Sequence, residues 1–146
     1  ATSHGVKELE GKGENPKISS EIQAAVPMGA QTDFLSERTR GVSKEKLIWK
    51  QFMGGSQQER LTAYRLASPL EHLDKGDPPC LFITGETDDE STRATKCRKR
   101  MTELGVSSGI KVIEGAPHGF LVKQVWFDQM IRAADNHFKK TLREAQ

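Results

Sequence analysis

Residues 80–85 read CLFITG and residues 110–113 read IKVI, with STRATKCRKRMTELG (91–105) lying between them. Both apolar runs are short, and both end in small or turn-forming residues, GETDD (85–89) and EGAPHG (114–119). Buried parallel strands have this appearance, with functional loops at their C-terminal ends. The intervening segment places Ala94, Cys97, Met101 and Leu104 on one helical face, at spacings of three, four and three. Ser91 suits an N-cap and Gly105 a C-terminal stop. Strand, helix, strand and a further helical pattern imply a right-handed βαβ unit and a parallel sheet. The fold class is therefore α/β.

A third apolar run, IQAAVPM (22–28), leads into GAQTD and predicts another strand, weakened by Pro27, which cannot donate to a sheet ladder. The expected sheet thus has strands near 22–28, 80–84 and 110–113. At the C-terminus, Phe127, Met130, Ile131, Ala134 and Phe138 form one apolar stripe, predicting a long helix packed back on the sheet. Segment 31–79 is less regular: a helix is expected near 44–52, a break at GGS (54–56), and a second helix near 57–66. That excursion is long for a simple connection, and such segments often contact substrate. Phe34, Trp49 and Phe52 are its candidate apolar contacts, although core packing explains them equally well.

With 146 residues the chain fits a single domain, 1–146. A net charge of +2 supplies no strong field for nucleic acid or an anionic membrane. The basic cluster Arg93, Lys96, Arg98, Lys99 and Arg100 reads as a solvated helix face. Apolar stretches of about five residues fall far short of the roughly 20 needed to span a bilayer. Cys80 and Cys97 read as free thiols, and no Cys/His spacing suggests structural zinc.

The chemistry concentrates in two loops, Gly85-Glu86-Thr87-Asp88-Asp89-Glu90 and Gly115-Ala116-Pro117-His118-Gly119-Phe120. Adjacent parallel strands carry their C-terminal loops to the same sheet edge, so an acid from the first loop can reach His118 in the second. A carboxylate on one imidazole nitrogen fixes the tautomer and leaves the other nitrogen as a general base toward a nucleophile. The alternative is that His118 is only a turn residue. His4, His72 and His137 have no comparable context.

These motifs resemble the α/β-hydrolase esterases and lipases, in which the acid strand ends in a pattern like G-x-x-D and the histidine follows the last strand in a G-x-x-H-G-F-like loop. ASPLEHLDKGDPPCLFITGE (67–86), VPMGAQTDF (26–34) and the final amphipathic helix resemble the corresponding stretches of that family, closest in kind to its small-ester and carbohydrate-ester branch. The resemblance implies a partial α/β-hydrolase fold of three αβα layers. It also implies Asp88 as triad acid and His118 as triad base, with Asp89, Glu90 and Asp33 as rival acids. It implies a small-molecule ester substrate, water as second substrate and no cofactor or metal.

A triad also needs a serine on a strand-to-helix elbow, earlier in the chain than the acid. Gly105-Val106-Ser107-Ser108-Gly109 matches G-x-S-x-G by letter, but it follows a helix and precedes a strand, the reverse of an elbow. In the resemblance ATSHGVKELEG (1–11) falls at the end of the helix after the nucleophile, which places the serine and the oxyanion loop upstream of Ala1. The expectation is therefore the C-terminal part of a serine ester hydrolase, inactive alone, with an exposed sheet edge that self-association would cover. The alternative is a non-catalytic, oligomerising α/β domain that keeps the hydrolase scaffold.

Overall fold

The computed structural model describes residues 1–9, 18–45 and 47–143. Strand β1 (Cys80–Gly85) pairs in parallel with β2 (Ser108–Ile113), in a register that sets Cys80 opposite Ser108 and Gly85 opposite Ile113. Helix α4 (Thr95–Glu103) links them, and helix α5 (Gln124–Arg143) follows. Before β1 come the short helices α1 (Glu37–Glu45), α2 (Leu47–Met53) and α3 (Leu61–Leu66).

The segment expected as a strand over 22–28 lies on the other side of β1, but it makes only two isolated parallel bridges, Ala25 with Cys80 and Met28 with Ile83. The cause is Pro27. Ala25 N–H donates to the Pro79 carbonyl and Leu81 N–H to Ala25; Ile83 N–H donates to Pro27 and Gly29 N–H to Ile83. Continuing this alternation requires residue 27 to donate to Leu81, and proline has no N–H to give. One missing donor splits the ladder into two bridges without disturbing its register. β1 is thus central, between this segment and β2.

Side chains alternate across β1 and divide the core into two layers. Cys80 and Phe82 pack with Ala94, Cys97, Met101 and Val106 on the α4 side, and Ile83 packs with Ile113, Ala116, Phe120 and Met130 on the α5 side. The three-layer αβα arrangement expected from the sequence is present. β2, however, is less buried than a central strand: Ile113 is fully buried, whereas Val112 is exposed. With β1 as its only strand partner among the described residues, β2 behaves as an edge.

The helix read over 91–104 forms, but it starts later. Asp89, not Ser91, is the capping side chain: it accepts from Ser91 N–H and caps a 3-10 turn over Glu90–Arg93. Ala94, in the left-handed region at φ 51°, then separates that turn from α4. The stop at Gly105 is as expected. Gly105 N–H donates to Thr102 and Val106 N–H to Met101, a Schellman closure with glycine at φ 76°. In α5 the predicted stripe is divided. Met130 and Ala134 are buried, while Phe127, Ile131 and Phe138 are exposed, so the helix turns only part of its apolar side to the sheet.

The helix expected near 44–52 is two helices, α1 and α2; Lys46, between them, lies outside the described residues. The helix expected near 57–66 is shortened to α3. Ahead of it, Ser56 N–H and Oγ donate to Glu59, whose own N–H donates back to Ser56 Oγ, as in a capping box. Residues 1–9, expected as a helix end, form successive turns, with Val6 N–H donating to Ser3 and Leu9 N–H to Val6. No helix among the described residues is long and apolar enough to cross a membrane.

Candidate functional site

The register of β1 and β2 ends both strands at one edge, Gly85 beside Ile113, so the loops that leave them start as neighbours. Backbone bonds then join the loops. Glu86 N–H donates to the Ile113 carbonyl, and the Ala116 carbonyl accepts from both the N–H and the hydroxyl of Thr87, at 3.0 and 3.1 Å. Gly115 N–H donates to the Glu86 carboxylate at 2.8 Å. Gly85 makes this approach sterically possible. A Cβ there would fall 2.2 Å from the Ala116 carbonyl oxygen and 2.6 Å from that of Pro117, both backbone atoms that cannot move aside.

This stitching brings Asp88 and His118 together across 30 residues of sequence: Asp88 Oδ2 lies 3.0 Å from His118 Nδ1. The other carboxylate oxygen, Oδ1, accepts the Asp89 N–H at 2.7 Å. An ionised carboxylate only accepts, so Nδ1–H is the donor and Nε2 is the nitrogen left for proton exchange. Only 4% of the Asp88 side chain is exposed, against 71% for His118. The acid is therefore held inside, and the imidazole faces solvent.

Two of the three rival acids are otherwise engaged. Asp89 pairs with Arg38 Nε at 2.9 Å and caps Ser91; hydrogen bonding from Ser91, helped by Arg38, holds its carboxyl below the usual aspartate value. Asp33 binds Lys96 Nζ at 3.0 Å, and Glu90 is exposed. Of the other histidines, His72 bonds through Nε2 to the Leu66 carbonyl, His4 is exposed, and His137 lies against the Phe138 ring. Phe34 and Trp49 stack on each other at 5.2 Å, and Phe52 is exposed. Ser107, the central serine of the G-x-S-x-G lookalike, immediately precedes β2 and accepts the Cys80 N–H at the end of the strands opposite Asp88, outside the site.

A cleft of about 180 Å³ lies between the 31–38 segment and the start of α4, lined by Asp33, Ser36, Arg38, Ser91 and Lys96 among others. It includes neither Asp88 nor His118, and the Lys96–Asp33 pair lies in its lining. Two contributors to the site were not legible as such in the sequence. One is the Asp89 N–H, whose side chain looked like a competitor of Asp88. The other is Gly29, which lies under the His118 ring and read only as a turn residue; neither has a local signal that could have revealed it.

The αβα layers on parallel strands fit a partial α/β-hydrolase fold. A profile of the BD-FAE family, an α/β-hydrolase-type esterase family, matches residues 1–99, and the chain belongs to that family. The match takes in Asp88 and ends before His118.

Solved structures of esterases and of a peptidase share the fold. One is the propionate-bound esterase Est2 of the Planctomycetes species Thermogutta terrifontis, with 22% identity and a TM-score of 0.66 over 91% of this chain and 48% of that one. A truncated carbohydrate esterase from gut microbiota gives 18% identity and a TM-score of 0.66 over 92% of this chain and 53% of that one. Dipeptidyl peptidase 4 of Porphyromonas gingivalis gives 13% and 0.61, over 81% of this chain and 16% of that one. The chain spans about half the length of the esterases it matches. No curated protein sequence matches it.

Proposed function

We propose that this chain supplies the acid, Asp88, and the general base, His118, of a Ser–Asp–His triad in a serine ester hydrolase, with the serine and the oxyanion donors contributed by residues outside this sequence. The observation that carries the reading is the 3.0 Å contact between Asp88 Oδ2 and His118 Nδ1 at the C-terminal edge of adjacent parallel strands. In this reaction His118 Nε2 takes the serine proton as the hydroxyl adds to the ester carbonyl, and returns it to the departing alcohol. A water molecule, deprotonated by the same nitrogen, then adds to the acyl-enzyme, and the proton goes back to the serine. Asp88 stays ionised and stabilises the imidazolium. Residues 1–146 act as one domain, in which the 31–66 segment lines the substrate side.

By itself the chain is expected to be inactive. The Thermogutta terrifontis esterase is phosphorylated by paraoxon, which makes a phosphorus reagent the natural probe. A fluorophosphonate should leave the intact mass of this chain unchanged, and should add one equivalent to the product of the gene with its upstream reading frame. Stoichiometric labelling of this chain alone would overturn the external serine.

A second reading, a non-catalytic domain that self-associates, has in its favour the exposed side of α5 carrying Phe127, Ile131, Phe138 and Leu142. Light scattering that shows a monomer at high concentration would remove it.

A further inference from the structure

Gly29 ends the segment that runs beside β1, tied there by its N–H bond to the Ile83 carbonyl at 2.8 Å. Its φ is +54°, and directly above it lies the His118 ring. A Cβ at Gly29 would stand 2.9 Å from His118 Cε1, 3.1 Å from Nδ1 and 3.7 Å from Asp88 Oδ2. The first distance is closer than carbon atoms tolerate, and the other two atoms met, Nδ1 and Oδ2, are those of the Asp88–His118 contact. A side chain at this position would meet the one mobile group there, the imidazole, since Asp88 is buried and fixed at Oδ1 by the Asp89 N–H.

We infer that Gly29 is a positioning residue for His118: its bare backbone is the floor that lets the imidazole lie flat enough to reach Asp88. The inference rests on the triad reading above, but its test does not depend on catalysis. Three elements set the ring: the 115–120 loop carries it, the loop after β1 supplies the acid, and the 25–29 segment supplies the floor. Pro27 interrupts the ladder two residues earlier without shifting its register, so Gly29 still arrives beside the end of β1.

The readout is the neutral-ring tautomer of His118, measured by long-range ¹H–¹⁵N NMR and assigned with a His118→Gln variant. A hydrogen bond to Asp88 holds the proton on Nδ1, whereas an unpaired imidazole favours Nε2–H. Gly29→Ala is compared with Gly105→Ala. Gly105 has φ +76° and open space where its Cβ would go, so it suffers the left-handed strain without a collision. The wild type and Gly105→Ala should show Nδ1–H; Gly29→Ala should move to Nε2–H, matching Asp88→Asn.

Because Gly29→Ala carries backbone strain, Gly29→Asn supplies the same Cβ on a residue that tolerates this φ, and it should give the same switch. Retention of Nδ1–H in a folded Gly29 variant would overturn the inference while leaving the Asp88–His118 pair intact. Loss of fold in both Gly29 variants, with Gly105→Ala folded, would also overturn it, by making Gly29 a requirement of the fold rather than of the ring. A wild-type signal already at Nε2–H would remove the pair itself, and the triad reading with it.

Discussion

Asp88 and His118 share one hydrogen bond of 3.0 Å, yet 4% of one side chain and 71% of the other is exposed. The buried partner is also the more firmly held, because Asp88 Oδ1 receives the Asp89 N–H at 2.7 Å. The acid therefore serves as the fixed point of the site and the imidazole as its accessible end.

Asp88→Asn removes the negative charge and offers His118 an amide in place of a carboxylate. In a longer protein that carries the proposed serine, kcat/KM on a p-nitrophenyl ester should fall by roughly 10³–10⁴. Asp33→Asn, which touches only the Lys96 pair and the Leu35 N–H, should change it by less than about tenfold. Equal losses in the two variants would show that Asp88 is not the acid.

Phe120 follows the His118-Gly119 turn and is 2% exposed, packed with Ile83, Ile113, Ala116 and Met130. Phe120→Ala leaves a cavity beneath the histidine loop and should cost about 3–5 kcal/mol in urea denaturation. A cost under about 1 kcal/mol would mean that the loop is not anchored in the core.

Asp89 gives a pH-dependent contribution whose sign can be worked out. Hydrogen bonding from Ser91, with Arg38, favours its charged form and lowers its folded pKa. The stability it contributes is therefore complete above the unfolded aspartate value of about 3.9 and is lost as pH falls through the lower folded value. The carboxylate is 45% exposed, so solvent screens the ion pair and the cap dominates. Asp89→Ala should cost about 0.5–1 kcal/mol at pH 7, and the difference from wild type should shrink on acidification below about pH 4. A difference that stays constant with pH would assign the effect to something other than the charge.

Burial pushes the thiols of both Cys80 and Cys97 up to about 11. They are 4% and 1% exposed, one on β1 and one on α4, within the same core layer. Iodoacetamide at pH 8 should leave both unmodified in the folded chain and alkylate both in urea, as counted by intact mass. Rapid native alkylation of either would contradict the packing of that layer.

The amino-acid sequence by itself determined the α/β class, two of the strands and the face of α4, because short apolar runs and a 3.6-residue spacing are local signals. The Gly105 stop was equally local. It also narrowed the histidines to His118, whose setting after a strand is written in neighbouring residues. Other features depended on neighbours distant in the chain. Pro27 was a visible warning, but only the position of Leu81 shows which bond it withholds. Ser91 looked like a cap until Asp89 was found in that role, and the α5 stripe looked uniform until the sheet covered only part of it.

The sequence put Asp88 ahead of Asp89, Glu90 and Asp33 only through the family resemblance, since four carboxylates differ little in local pattern. Tertiary structure supplied the geometry: the parallel register brings Gly85 beside Ile113, Gly85 lets the Ala116 carbonyl approach, and Asp88 then lies within hydrogen-bond reach of His118. Local propensity is set by residues a few positions apart, whereas a charge pair 30 residues apart exists only once the sheet has fixed where both loops begin.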